Sequence, residues 1–250
     1  MSLPVRAAKG ACQNNMSDRY FVESPVTSDR AVLAGVEAHH LLHVMRAKVG
    51  TRVTLFDGSG WEFDAVVGRT GRNEVELAIA GRQEIDREAP IVVTLGVALP
   101  KGDRQKWLVE KVVELGVTRL VPLETDRGVA QPVENVLERL RRGVIEASKQ
   151  CGRNRLMKIA EPKSWRVFLA DNEKAACRLV AHPRQEPRRW TAPGENAALA
   201  VGPEGGFTAE EVALAVARGW QPMELGPRIL RVETAAVALA ARVILDQVGL

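Results

Sequence analysis

The run Ile91-Val92-Val93-Thr94-Leu95-Gly96-Val97-Ala98-Leu99 is apolar at nearly every position, and no other segment constrains the fold as much. A strand with no polar face has nothing to offer water. It therefore predicts burial on both sides, as in a parallel sheet covered by helices on each face. The residues that follow alternate as such a sheet requires. Helical spacing is predicted over 103–115, a strand over 119–123 and a helix over 134–151. Further strands are predicted at 177–181, 198–202 and 222–225, with helices over 208–218 and 233–248. The expectation is an α/β domain built on a parallel sheet.

Upstream of Ala89-Pro90 the pattern is different. Segments 19–23, 52–56, 61–67 and 74–79 are short and strand-like, with turns at Asp57-Gly58-Ser59-Gly60 and Gly71-Arg72-Asn73, and a short helix is predicted over 37–45. Such closely spaced strands predict a compact barrel-like module. The first residues carry no hydrophobic periodicity, so 1–18 are expected to be a disordered extension, ahead of domains at 19–88 and 89–250.

Composition removes several alternatives. The 250 residues are 46% hydrophobic and 26% charged, enough apolar material for real cores. No apolar run approaches the ~20 residues of a membrane span and the N-terminus lacks the apolar core of a secretory signal, so the cytoplasm is the expected location. Cys12, Cys151 and Cys177 form no C-x-x-C pair, so reduced thiols are expected and zinc is not. His39 and His43 stand four apart, but no glutamate completes an H-E-x-x-H pattern and no third ligand is suggested, so no metal is expected. A G-x-S-x-G nucleophile elbow is missing too.

The net charge of +4 says little until it is divided. Residues 16–88 hold 9 Lys and Arg against 12 Asp and Glu, whereas 89–250 hold 24 against 19. Residues 101–163, with 14 against 9, carry the whole of that excess. A concentrated stripe of cations suits phosphate binding through counterion release; solvated helix faces would give the same count.

Two segments carry most of the chemical information. Ala200-Val201-Gly202-Pro203-Glu204-Gly205-Gly206-Phe207-Thr208 runs from an apolar strand into a glycine-rich turn, and Thr208 to Glu211 has the T-x-x-E form of a helix-opening capping box. Its spacing matches neither G-x-G-x-x-G nor the P-loop. Leu225-Gly226-Pro227-Arg228-Ile229-Leu230-Arg231-Val232-Glu233-Thr234-Ala235 repeats the logic, a strand ending in a Gly-Pro turn before a helix. Loops at the carboxyl ends of parallel strands are where open α/β folds bind ligands, and glycine lets backbone approach a ligand closely. A third strand stops at His182-Pro183, where a histidine is more often structural than catalytic. The last helix is apolar nearly all round, which predicts core burial or a dimer interface.

These pieces resemble the ribosomal RNA small subunit methyltransferase E family, of the SPOUT class. The similar segments are Arg19-Tyr20-Phe21, His40-Leu41-Leu42-His43-Val44-Met45-Arg46, Lys111 with Glu114-Leu115-Gly116-Val117, and Glu146-Ala147-Ser148-Lys149-Gln150-Cys151-Gly152-Arg153, together with the two glycine-rich motifs. The resemblance covers 19–248. It implies a PUA-like RNA-binding β-barrel followed by a SPOUT α/β domain with a deep trefoil knot, a topology that periodicity cannot reveal and base rates oppose. It also implies a homodimer that uses S-adenosylmethionine to methylate N3 of one uridine near the 3′ end of 16S rRNA in the small ribosomal subunit.

Carried over by position, the cofactor pocket falls on Leu179, Val180, Ala181, His182 and Pro183, on Gly202, Pro203, Glu204, Gly205 and Gly206, and on Leu225, Gly226, Ile229 and Leu230. Thr234 and Ala235 extend it into the last helix. Arg19 and Arg46 are RNA contacts by resemblance, and Lys101, Lys106, Arg153 and Arg155 are expected on phosphates. Uridine N3 is a poor nucleophile while it keeps its proton, so the site must remove or offset that proton. Arg231 or Arg228 is expected to stabilise charge on the uracil, with Glu204 or Glu233 accepting the proton, although Glu233 serves equally well as a helix cap. Cys151 is expected to be a packed helix-end thiol rather than a nucleophile. Rival readings are a methyltransferase of the same class acting on another RNA, and a non-catalytic ribosome-associated RNA-binding protein.

Overall fold

The computed structural model describes residues 19–128, 134–183 and 194–248. The extension expected at 1–18 lies outside the described residues. The chain divides into two units, one of residues up to Asp57 with Trp61–Glu84, the other of Gly58–Gly60 with the residues from Ile85 onward.

The first unit is a five-stranded curled sheet. Strands β1 (Arg19–Phe21), β2 (Arg30–Ala34), β3 (Arg52–Phe56), β4 (Trp61–Thr70) and β5 (Glu74–Glu84) lie in the order β1-β3-β4-β5-β2. β1 joins β3 in parallel and the other pairs are antiparallel. Register shifts at Asp64/Ala65 and Val67/Arg69 let the long β4 and β5 bend, which is how a bulge adds twist. Tyr20, Leu33, Leu55, Phe63, Val75 and Leu77 fill the concave side. Where a helix over 37–45 is predicted, α1 (Gly35–His39) gives way to a π-helical turn, His40–Val44. This is the barrel-like module that the short strands predict.

Arg19 requires a correction. It is 5% exposed, its guanidinium is paired with Glu62 and it lies over the Phe56 ring. It braces β1 against its neighbours and is not presented to a phosphate.

The second unit has a parallel sheet in the order β12-β10-β11-β6-β7-β8. Its strands are β6 (Val92–Val97), β7 (Arg119–Glu124), β8 (Lys158–Ile159), β10 (Cys177–Ala181), β11 (Asn196–Val201) and β12 (Gln221–Met223), with β9 (Lys163–Ser164) also on β7. Helices α2 (Arg104–Glu114), α3 (Glu134–Cys151) and α6 (Val232–Val248) cover one face; α4 (Trp165–Asp171) and α5 (Ala209–Ala217) cover the other. The two-sided burial is visible residue by residue. Leu199 and Val201 of β11 face the first core, Ala198 and Ala200 the second. In β6 the second face is closed by the Phe168 ring, which packs so tightly on Gly96 that a Cβ there would lie 2.6 Å from Cζ.

In helix α6, Ala236, Leu239, Ala240 and Val243 are fully buried, so one face of its apolar run is core, whereas Val237, Ala238 and Ala241 are only partly buried. Arg153 is the second correction. It is 4% exposed, its Nε donates to Glu88 Oε1 at 2.9 Å and its Nη1 to the Val117 carbonyl at 2.8 Å. It closes the end of α3 onto the core instead of reaching RNA. Among the described residues no helix is long and apolar enough to cross a membrane.

Candidate active site

Because β10, β11 and β12 run parallel, their carboxyl ends open on one edge, and the three loops that leave them meet there. The amide of His182 donates to the Met223 carbonyl at 3.0 Å, extending the β10–β12 ladder into the loops. Gly202 turns so sharply that a Cβ would lie 3.1 Å from the Phe207 amide nitrogen, and Gly206 (φ +67°) and Gly226 (φ +101°) hold left-handed backbone that a side chain would strain. The glycine density therefore has a steric cause.

The loops enclose a cavity of about 420 Å³. Val201, Phe207, Met223, Leu225, Leu230 and Ala235 supply apolar walls, while Arg127, Glu204, Glu224 and Arg228 bring charge. Burial pushes the His182 imidazole below its ordinary range, which favours the neutral ring at the wall.

Most of the expected pocket residues gather here. Ala181, His182, Pro183, Gly202 to Gly206, Leu225, Gly226, Ile229, Leu230 and Ala235 all line the cavity, as do Glu204 and Arg228. Others do not. Leu179 and Val180 are buried within β10, one in each core, and Thr234 is exposed on α6 away from the lining. Arg231 is exposed outside the lining, and its carbonyl accepts the Ala235 amide at 2.8 Å. Glu233 is 7% exposed in the first turn of α6, where the helix N-terminus favours a carboxylate.

Arg104 and Arg127 carry no local signal as site residues. Arg104 has its Nη1 3.8 Å from Glu233 and its Nη2 3.5 Å from Glu204, so one cation stands between the buried carboxylate and the rim. Arg127 arrives from the turn after β7. Phe207 and Glu224 adjoin the glycine-rich motifs and are legible from that position. Of the expected RNA contacts, Lys101 borders a narrow crevice with Pro203 and Glu204, and Lys106 is exposed with Glu110 at 3.8 Å. Arg155 is exposed, and Arg46 is exposed with φ +53° after the π-helical turn.

A parallel sheet with a glycine-lined cavity at its carboxyl edge has the α/β layout in which ligands bind at strand ends, and the chain from residue 87 to 244 matches the family described as RNA methyltransferase domain. Residues 33–80 match RNA methyltransferase PUA domain. The chain belongs to the ribosomal RNA small subunit methyltransferase E family. A member from Synechocystis is 34% identical over 96% of this chain and 81% of its own length, and one from Bacillus subtilis is 29% identical over 89% and 94%. Among solved structures, a methyltransferase of Legionella pneumophila in complex with bound cofactor SAM superposes with a TM-score of 0.86 at 30% identity, covering 92% of this chain and 97% of that one. The family member from Neisseria gonorrhoeae bound to S-adenosyl methionine gives 0.82 at 29%, covering 90% and 96%.

Proposed function

We propose that this chain catalyses S-adenosylmethionine-dependent methylation of 16S rRNA of the small ribosomal subunit, at N3 of a uridine. The observation that carries the reading is the backbone-walled cavity at the meeting of three strand-end loops, in a chain of this family. Its residues fit the cofactor. About 420 Å³ lies within the ~300–1,000 Å³ of small-molecule sites, the apolar walls suit an adenine, and the Glu204 and Glu224 carboxylates suit a cationic group. Bound there, S-adenosylmethionine supplies an electrophilic methyl group on a sulfonium.

The chain's own side chains then divide the remaining work. Arg228 faces the cavity and offsets the negative charge that uracil acquires as N3 loses its proton. Glu204, on the same rim, is the proton acceptor; Glu233, buried behind it beside Arg104, holds the start of α6. Arg231, exposed outside the lining, stabilises the same developing charge from the RNA side. Lys101, Lys106, Arg155 and Arg46 contact phosphates. The path that places β11 between β6 and β10 supports the SPOUT reading, and we include its trefoil knot in the proposal. The exposed strip of α6, with Thr234, Arg242 and Leu245, serves a homodimer, and the enzyme works in the cytoplasm.

Mass spectrometry of 16S rRNA nucleosides is the test. Cells lacking the gene should lose 3-methyluridine and regain it on complementation; an unchanged level sinks the reading. Arg228→Ala and Arg231→Ala should each slow single-turnover methylation at saturating RNA. Full rates in both would remove the arginine assignment.

A further inference from the structure

Two arginines with different origins bear on the cavity mouth. Arg228 belongs to a glycine-rich motif, whereas Arg127 comes from the turn after β7, 78 residues before the loop that it touches. Its Nη1 donates to the Gly205 carbonyl at 2.8 Å, and its stem lies against the same glycine, where a Cβ would meet Arg127 Cδ at 3.4 Å. The side chain is exposed, and no carboxylate among the described residues pairs with it. A guanidinium carries five donors in a planar fork, so one bond to a carbonyl leaves four to bond other partners beside the cavity that Arg127 lines.

The turn that carries Arg127 is held by an unusual use of a helix cap. Glu211 is 6% exposed and completes the capping box of α5, its Oε2 accepting the Thr208 amide at 2.8 Å. Its other oxygen, Oε1, accepts the amide of Asp126 at 3.0 Å. One buried carboxylate thus fastens the Arg127 turn to the loop segment that closes the cavity. A local cap needs only the first of these bonds.

We propose that Arg127 is a further RNA-binding residue, which grips a phosphate beside the target nucleotide at the cavity mouth, and that Glu211 is the positioning residue that aims it. The proposal rests on the methyltransferase reading above. Phosphate is favoured because the guanidinium lies exposed on the rim, where a polymer passes, and because planar bidentate donors suit phosphate oxygens.

The test uses the full-length protein and a 16S rRNA fragment containing the target, with RNA binding measured separately from turnover. Arg127→Ala should weaken RNA binding roughly tenfold, lower the salt slope by about 0.7 and leave S-adenosylhomocysteine affinity unchanged. Arg127→Lys should restore part of the binding. Glu211→Gln should weaken RNA binding as well, and adding it to Arg127→Ala should cost little more. Thr208→Ala, which breaks the cap but keeps the Asp126 bond, should lose stability with RNA binding intact.

Weaker S-adenosylhomocysteine binding with unchanged RNA binding would overturn the proposal and give Arg127 to the cofactor's carboxylate. No change in either would reduce it to packing on Gly205. Additive effects of the two substitutions would remove Glu211's role. If Glu211→Gln fails to fold, Asp126→Pro removes the amide that donates to Glu211 Oε1, while also fixing φ at 126 and restricting Thr125, and carries the same expectation. Absence of turnover in the unsubstituted protein, with the Arg127 binding effect intact, would sink the methyltransferase reading alone.

Discussion

Arg153 shows how a single charge can be misassigned by position. Its guanidinium serves Glu88 and the carbonyls of Val113 and Val117, so its removal strands a half-buried carboxylate and two acceptors. Arg153→Gln is expected to lower the unfolding free energy by ~3 kcal/mol, measured by urea denaturation; Lys101→Gln, an exposed change, should leave stability untouched. Gly96→Ala forces a methyl group into the Phe168 ring and is expected to cost about 1–3 kcal/mol by the same assay. Burial pushes the Cys177 thiol from 9.0 up to about 11. Its thiolate at pH 8 is then about a hundredfold scarcer than that of an ordinary thiol, so brief iodoacetamide treatment should leave the Cys177 peptide unlabelled by mass spectrometry. None of these three environments is encoded within a few residues of the group concerned.

Elements were legible in proportion to the length of their pattern. The strands β6 and β11 announce themselves by unbroken apolar runs, and α3 and α6 by extended helical sequences. Strand β2 buries only Ala31 and Leu33, and α4 has one short stripe of Trp165, Phe168 and Leu169, too brief for periodicity to register. The π-helical turn at His40–Val44 shares the apolar spacing of a helix, so sequence cannot separate the two. The capping box of α5 was readable because Thr208 and Glu211 are three apart, and Thr208→Ala is expected to cost about 1 kcal/mol in thermal or urea unfolding. Glu211's second bond, to Asp126, was not readable, since it spans 85 residues.

For the molecule as a whole, the charge asymmetry survives but thins. Within 101–163, Lys111 lies 2.7 Å from Glu114, Arg141 2.6 Å from Glu134 and 2.9 Å from Glu161, and Lys149 3.4 Å from Glu146. Apparent RNA affinity is expected to fall with salt at a slope reporting a few phosphates, well short of the 14 cations in that stretch. A slope near zero would count against RNA contact through this unit. By itself the sequence determined the doubly buried parallel sheet and the two glycine-rich strand ends, because each is written in neighbouring residues. Only the tertiary structure decided that β11 lies between β6 and β10, that Arg19 and Arg153 turn inward, and that Arg127 meets Gly205. Those contacts depend on the path of the chain between distant segments, and hydrophobic periodicity carries no record of that path.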